Sequence, residues 1–482
     1  MIVPPRGHTS FIGKPENPEQ WLMYLYGKIP GPMHPSKAYS AYYEGEQQKL
    51  AFSQMRYKAA FASVFEQWRD NFCGTIIDAT NERLHVDSFR IPGQDDGRDA
   101  RSFWQRSCMD AYSTSVHLES LITGIAYVVV WADAQGEPTI TPVPGSRMAV
   151  SYKPGSLWEL EAAARFEMDA WGRQQVTLWT EEYVYEVAYG TTEWDQGVRQ
   201  SNPLKRVPVV PFENRSRLGM EPTSDLANCV PIQDAINKIT MDALTASEMA
   251  AYPQRWVTGI EIQEDENGNP VAPFNVGLDK LLQAEDPNAS FGVFQPVDLK
   301  NYVTLVDMLV QHLATVSRVP SHYFLVNSSN TPSGEAIISA EAGLVAKVRE
   351  RMLHFGESWE RIIRLCFAVK DDKRQDAFEM ETRWRDPEYR TEAQHIDALL
   401  KLKQLDVPLE FLWFEAGFTS SQVSDFREMR KQDAMAQAEI QKLMPPPQPR
   451  HDPAAIAAKQ DASKPPQGNS GNAARKINEV RG

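Results

Sequence analysis

Apolar positions in the first ninety residues recur mainly at helical spacing. Pro18-Glu19-Gln20 opens a short amphipathic segment carrying Trp21, Leu22, Tyr24 and Leu25, and Pro30-Gly31-Pro32 ends it. Beyond Ser36, the positions Leu50, Phe52, Met55, Tyr57, Phe61, Val64, Phe65 and Trp68 predict a longer helix. Arg83 to Phe89 alternates like an edge strand, Gly93 to Asp99 is a turn-rich loop, and residues 100–120 predict one helix. From Gly124 to about Phe212 the period becomes two. Strands are expected at 126–131, 139–143, 163–168, 175–180, 183–187 and 208–212, in one meander, with Asp169-Ala-Trp-Gly-Arg173 as a hairpin turn. The first two hundred residues thus predict an α+β domain.

Helix returns near Ser224. Ile232, Ile236, Ile239, Ala243, Ala246 and Ala250 form a narrow apolar seam, and Tyr302, Val306, Leu309, Leu313 and Val316 form a second with the same alternation of fours and threes. Such seams suit helix-on-helix packing, within one domain or between chains. Between them lies an insertion at 251–298, with a strand at 255–262, an acidic tip at Glu264, Asp265 and Glu266, and the tight-turn pair Asn267-Gly268. A polar loop ends at Asn327-Ser-Ser-Asn-Thr-Pro332. Thr331 followed by Pro332 then starts a helix that runs through Cys366, roughly 50 Å at 1.5 Å per residue. A strand at 377–384 and helices at 391–404, 408–416 and 419–443 complete the pattern, which is α+β and mostly helical. The last 38 residues hold seven prolines and almost no large apolar side chain, so disorder is expected there.

Composition changes the picture in three ways. Hydrophobic residues at 42% and aromatics at 10% over 482 residues supply a sizeable core, which excludes a wholly disordered or fibrous chain. The most apolar run, residues 121–131, is far shorter than the ~20 residues of a membrane span, and the N-terminus lacks a basic-then-apolar export signal. A cytoplasmic, membrane-free setting is expected. The net charge of −14 conceals a basic tail, since six cations face three acids beyond Pro445 and leave the body at −17. So acidic a body is a poor general clamp for nucleic acid.

Catalytic and cofactor signatures are missing. No phosphate loop, His-Glu-x-x-His, Cys-x-x-Cys or Gly-x-Ser-x-Gly occurs, and the four cysteines are too scattered for a metal site. Asp95, Asp96 and Asp99 are the best metal candidates, as ligands of a nuclease-like enzyme, yet they read as a solvated turn. His312 and His322 have no spaced partner. No enzyme, cofactor or metal is expected.

Seven phrases then occur in a telling order: Tyr42-Tyr-Glu-Gly45; Asn71 through Ile76-Ile-Asp78 to Arg83-Leu84; Thr123-Gly-Ile-Ala-Tyr-Val128; Val207-Pro-Val-Val-Pro-Phe-Glu-Asn214; Val230-Pro-Ile-Gln-Asp-Ala-Ile-Asn237; Tyr252-Pro-Gln-Arg-Trp256; and Pro332-Ser-Gly-Glu-Ala336. From about residue 18 to 440 the chain resembles tailed-bacteriophage portal proteins of the SPP1-type, siphophage family. The resemblance implies a wing at 1–223, stem helices at 224–250 and 299–318, and a clip at 251–298. It further implies a tunnel loop at 319–331, a long helix with a return strand at 332–390, a crown at 391–444 and a tail at 445–482. It implies a ring of about twelve copies at one capsid vertex of the virion, assembled in the host cytoplasm, through which double-stranded DNA is packaged and ejected without sequence reading. Expected partners are the large terminase, head-completion or adaptor proteins, the major capsid protein and scaffold. On this expectation Asp234, Asp242 and Asp307 line the stem channel, Asn327, Ser328, Ser329 and Asn330 face DNA from the tunnel loop, and Glu264, Asp265 and Glu266 dock a partner. The alternative is a non-ring minor capsid or head morphogenesis protein.

Overall fold

The computed structural model describes residues 13–31, 33–46, 70–91, 97–188, 197–251, 255–259, 287–294, 298–324, 334–388, 392–418 and 420–443. The helix expected over 50–68, Asp95 and Asp96, the acidic tip 264–266, the polar loop 327–330 and the tail lie outside these residues. Helix α1 (Pro18–Lys28) begins on Asn17, whose side chain accepts from the Gln20 amide, with proline in its first turn. Helices α2 (Pro35–Tyr43) and α3 (Cys73–Asn81) follow, then strand β1 (Val86–Arg90).

The single helix expected over 100–120 is two, α4 (Arg98–Arg106) and α5 (Met109–Thr123). Cys108 between them is left-handed, with φ 54°. That kink lets Phe103 and Trp104 of α4 enter the same core as Val116 and Leu121 of α5, which one straight rod could not do. Gly124 ends α5 at φ 99°, where a Cβ would stand 2.9 Å from the Pro222 carbonyl oxygen, so only glycine fits.

The strands are β2 (Ile125–Ala132), β3 (Pro138–Pro144), β4 (Met148–Tyr152), β5 (Leu160–Met168), β6 (Gln174–Thr180), β7 (Tyr183–Ala188), β8 (Val198–Ser201) and β9 (Val209–Glu213). They form two sheets instead of one meander, in the orders β3-β2-β9 and β4-β5-β6-β7-β8, all antiparallel. The division follows from burial on both faces of β2. Ala126, Val128 and Val130 join the helical core, while Tyr127 and Val129 pack against Met148, Val150, Ala163 and Trp179 of the larger sheet. On the far side of that sheet, Ala149, Ala162 and Ala164 are small enough for Trp21 and Leu25 of α1 to lie close. The layers are therefore helix, sheet, sheet and helices.

Next come α6 (Val230–Ala251), β10 (Arg255–Thr258), β11 (Ser290–Val293), α7 (Lys300–Ser317) and α8 (Gly334–Val369). Helix α8 spans about 54 Å. Leu344, Val348, Met352, Phe355, Trp359, Ile362 and Cys366 lie along its buried stripe, against α5 and the three-stranded sheet. Strand β12 (Glu381–Trp384) pairs antiparallel with β1, and α9 (Glu392–Gln404) and α10 (Leu409–Glu415) follow. Helix α11 (Ser420–Leu443) falls essentially within a second unit, Ser421–Gly482, apart from Met1–Ser420. Among the described residues no helix is long and apolar enough to cross a membrane.

The core is centred on a histidine. His117 is fully buried, stacks on Phe355 at 5.3 Å between centroids, and accepts from Trp359 Nε1 at 2.9 Å through Nε2. Its proton therefore sits on Nδ1. Burial pushes its pKa down to about 3, so folding requires the neutral ring. The native state binds fewer protons than the unfolded chain, whose histidine titrates near 6.5. This contribution is intact above that value and is lost as pH falls towards 3. Between pH 7 and 5 the ring should cost about 2 kcal/mol of unfolding free energy. Urea unfolding at both pH values checks this, and His117→Gln should remove that share of the slope.

Candidate functional site: a projecting helix pair and its root

Helices α6 and α7 pack along each other, joined at their outer ends through the antiparallel β10–β11 ribbon. Their burial is lopsided. Gln233, Ile236, Asn237 and Met241 are buried in the first half of α6, and Val310, Leu313, Ala314 and Ser317 in the second half of α7. No described side chain of 242–251 or 300–309 is buried. The outer half of the pair, about ten residues or 15 Å of each helix, is thus only partly covered, with Val306 and Leu309 still packed against the core. Helix α7 has three faces, one of which packs inward. A second carries Leu305, Met308, His312 and Val316 at steps of three, four and four, with the three apolar members 40–46% exposed. The third is polar, with Thr304, Asp307, Gln311 and Thr315, all exposed.

The root of the pair is polar and buried. Asp225, five residues before α6, is 5% exposed and accepts from Arg351 Nη2 at 3.2 Å and Asn214 Nδ2 at 3.0 Å. Lys347 Nζ stands 2.7 Å from its other oxygen and also reaches the Ser317 carbonyl at 3.4 Å. Burial alone would raise the Asp225 carboxyl; Lys347 and Arg351 outweigh it and hold the group at about 2. One turn into α6, two amides grip the backbone before α3. Gln233 accepts from the Phe72 amide at 2.9 Å and donates to the Asp70 carbonyl at 2.9 Å, and Asn237 accepts from the Asp70 amide at 3.2 Å. A second cluster ties the turn after α7 to α8: Arg83 donates to Glu341 at 3.1 Å, to the Tyr323 hydroxyl at 2.8 Å and to the Pro387 carbonyl at 2.7 Å.

The acids singled out from the sequence do not converge. Asp234 accepts from the Tyr42 hydroxyl at 2.7 Å, and with burial this pushes that phenol upward. Asp242 is ion-paired with Lys238 one turn earlier. Asp307 stands on the exposed polar face of α7, with no cation at ion-pair distance among the described residues. Asp99 pairs with Arg374 at 2.7 Å, and no group of His, Cys, Asp or Glu that could hold a metal occurs among the described residues. His322 lies 4.0 Å from Glu341, and His312 is on the exposed apolar stripe. Sequence reasoning missed Asp225, Lys347 and Arg351. The signal was present: Lys347 and Arg351 sit one turn apart inside the apolar arc of Leu344, Val348 and Met352, and buried cations require a carboxylate.

The family described as phage portal protein, SPP1 Gp6-like, matches residues 37–439. The chain belongs to this portal family. Portal proteins of Mycobacterium phages L5 and D29 are each 28% identical to it, over 381 and 379 residues, covering 74% of this chain and 77% of theirs. Among solved structures, a chain of the virion of a native gene transfer agent particle aligns at TM-score 0.41 and 11% identity, covering 79% of this chain and 94% of that one. A chain from the neck of an empty particle of the same kind aligns at TM-score 0.43 and 10% identity, covering 78% and 97%. Several phrases of the portal resemblance meet at the root: Tyr42 on Asp234, the chain around Asn71 on Gln233 and Asn237, Asn214 on Asp225, and Arg83 on Glu341.

Gln233→Ala strips one donor and one acceptor from the half-buried 70–72 backbone. Stability should fall by about 2–4 kcal/mol, measured by urea denaturation, because each orphaned group costs about 1–2 kcal/mol.

Proposed function

We propose that this chain is the subunit of a ring-shaped DNA conduit at the portal vertex of a phage capsid. The observation that carries the reading is the two-faced exposure of α7, in a chain of the portal family. An apolar stripe beside a polar one suits a helix that meets a neighbouring copy on one flank and an aqueous bore on the other. On this reading 1–223 is the wing, 224–250 and 299–318 are the stem, 251–298 is the clip and 319–331 is the tunnel loop. Residues 332–390 are the long helix and return strand, and 391–444 the crown. The ring passes double-stranded DNA inward and outward, and its clip receives the terminase and later the adaptor proteins. Capsid protein and scaffold bind its outer parts.

The acidic character of the body supports a conduit that does not trap its cargo. Lys and Arg would hold phosphates by counterion release, whereas carboxylates let them pass. Asp242 is offset by Lys238 and Asp234 is engaged by Tyr42, so Asp307 is the least masked of these three acids. Asn327, Ser328, Ser329 and Asn330 would add uncharged contacts in the tunnel loop, and Glu264, Asp265 and Glu266 would steer a basic partner at the clip.

Native mass determination tests assembly. Wild type should form rings of about twelve 54.5 kDa subunits. Met308→Glu should reduce the ring population at least about tenfold, since a carboxylate replaces apolar burial worth about 1.5–3 kcal/mol at every interface. A wild-type chain that stays monomeric even with its scaffold and capsid protein would instead favour a non-ring minor capsid role.

Asp307→Lys should convert the bore from repelling to retaining. Rings of this variant should hold linear duplex DNA at low salt and release it with a steep salt dependence, while wild-type rings let it go. Equal retention by both would remove Asp307 from the bore.

A further inference from the structure

Lys347 occupies an unusual position. Its ammonium lies 2.7 Å from Asp225 at the inner end of α6 and 3.4 Å from the carbonyl of Ser317, the last residue of α7. The last carbonyls of a helix have no partner within it, and cations are favoured there by the helix dipole. Arg318 follows Ser317 with φ 58°, so α7 stops abruptly at this point. Lys347 therefore closes the end of α7 from another helix while neutralising the carboxylate in the turn that leads into α6. Arg351, one turn along α8, takes the second Asp225 oxygen, so each oxygen has its own cation. The side chains of Asp225, Lys347 and Arg351 are 2%, 7% and 4% exposed, which leaves water little access to replace a broken contact.

We propose that Lys347 is a mechanical coupler that makes α8 and the inner ends of α6 and α7 one rigid lever. A displacement of α8 is then delivered to both helices of the pair together, and the inclination of the pair is set by α8 and not by the ribbon at its outer end. The apolar contacts beside it can slide, whereas drawing a buried ammonium away from the Asp225 carboxylate separates two charges that water cannot reach. The inference concerns the joint within one subunit and does not depend on ring formation.

Hydrogen exchange on the full-length protein, read by mass spectrometry, tests it. In Lys347→Met, segments 224–233 and 310–319 should both lose protection at least about tenfold, while 160–180 in β5 and β6 should stay within about twofold of wild type. Lys347→Arg, which keeps a cation in reach of both oxygens, should restore most of the protection. If the single substitution prevents folding, Lys347→Gln keeps a polar group at the site and leaves Asp225 matched by Arg351. Its two segments should then exchange faster than wild type and at different rates from each other. Unchanged protection at 310–319, or an equal loss across 160–180 as well, would overturn the coupler and leave Lys347 a contributor to global stability alone.

Discussion

A helix pair with no fully buried side chain along its outer half is held mainly at its inner end, and there the chain uses a buried carboxylate shared by two cations. Asp225, Lys347 and Arg351 come from two regions more than a hundred residues apart, and Asn214 and the Ser317 carbonyl add a hydrogen bond each. Burying three charges costs several kcal/mol each unless every one is paired. The layers around the root are arranged accordingly. Helix α8 brings both cations from one side, Gly124 lets the chain at Pro222 pass close to α5, and Asp225's own amide donates to the Leu121 carbonyl. Moving any of these elements would leave a buried charge unmatched.

The neighbouring contacts follow the same logic at lower charge. Gln233 and Asn237 present amides to the backbone of Asp70 and Phe72 and so mimic a paired strand where none exists. Arg83 spans Glu341, Tyr323 and the Pro387 carbonyl, fixing the chain on either side of α8. Apolar packing supplies most of the cohesion, through the His117–Phe355–Trp359 cluster and the double-sided burial of β2. The polar root adds direction.

Much of this was legible in the sequence where one physical signal dominates. Period-two alternation placed β2, β3, β6, β7 and β9 within a residue or two but left out β4 and β8, and the seams beginning at Ile232 and Tyr302 gave both helices of the pair. Alternation alone could not assign strands to sheets, because β2 and β9 are apolar on both faces and fit either core. The break at Cys108 was invisible because a left-handed non-glycine residue carries no compositional mark. Lys347 and Arg351 were legible as cations inside an apolar arc, but their partner lies 122 and 126 positions away, beyond the reach of spacing. Seam phase pointed to Asp234 as an outward acid. The hydroxyl of Tyr42, on a separate helix, accounts for its actual engagement.

If the chain is the ring subunit proposed above, it has two mechanical needs that one kind of contact cannot meet. Contacts between copies must form and adjust during assembly, and apolar surface is suited to this because its attraction is non-directional. Within the subunit, the angle at which the helix pair leaves the body has to be the same in every copy, or the bore would not close evenly. A buried ion pair gains little net stability over apolar residues of equal volume, yet breaking it leaves an uncompensated charge worth about 3–5 kcal/mol. That asymmetry penalises deviation more than it rewards formation, which is what a fixed angle requires. The chain places apolar side chains on the outer flank of α7, at Leu305, Met308 and Val316, and charges at the root, at Asp225, Lys347 and Arg351. The division of chemistry along the one helix pair matches the division of mechanical tasks.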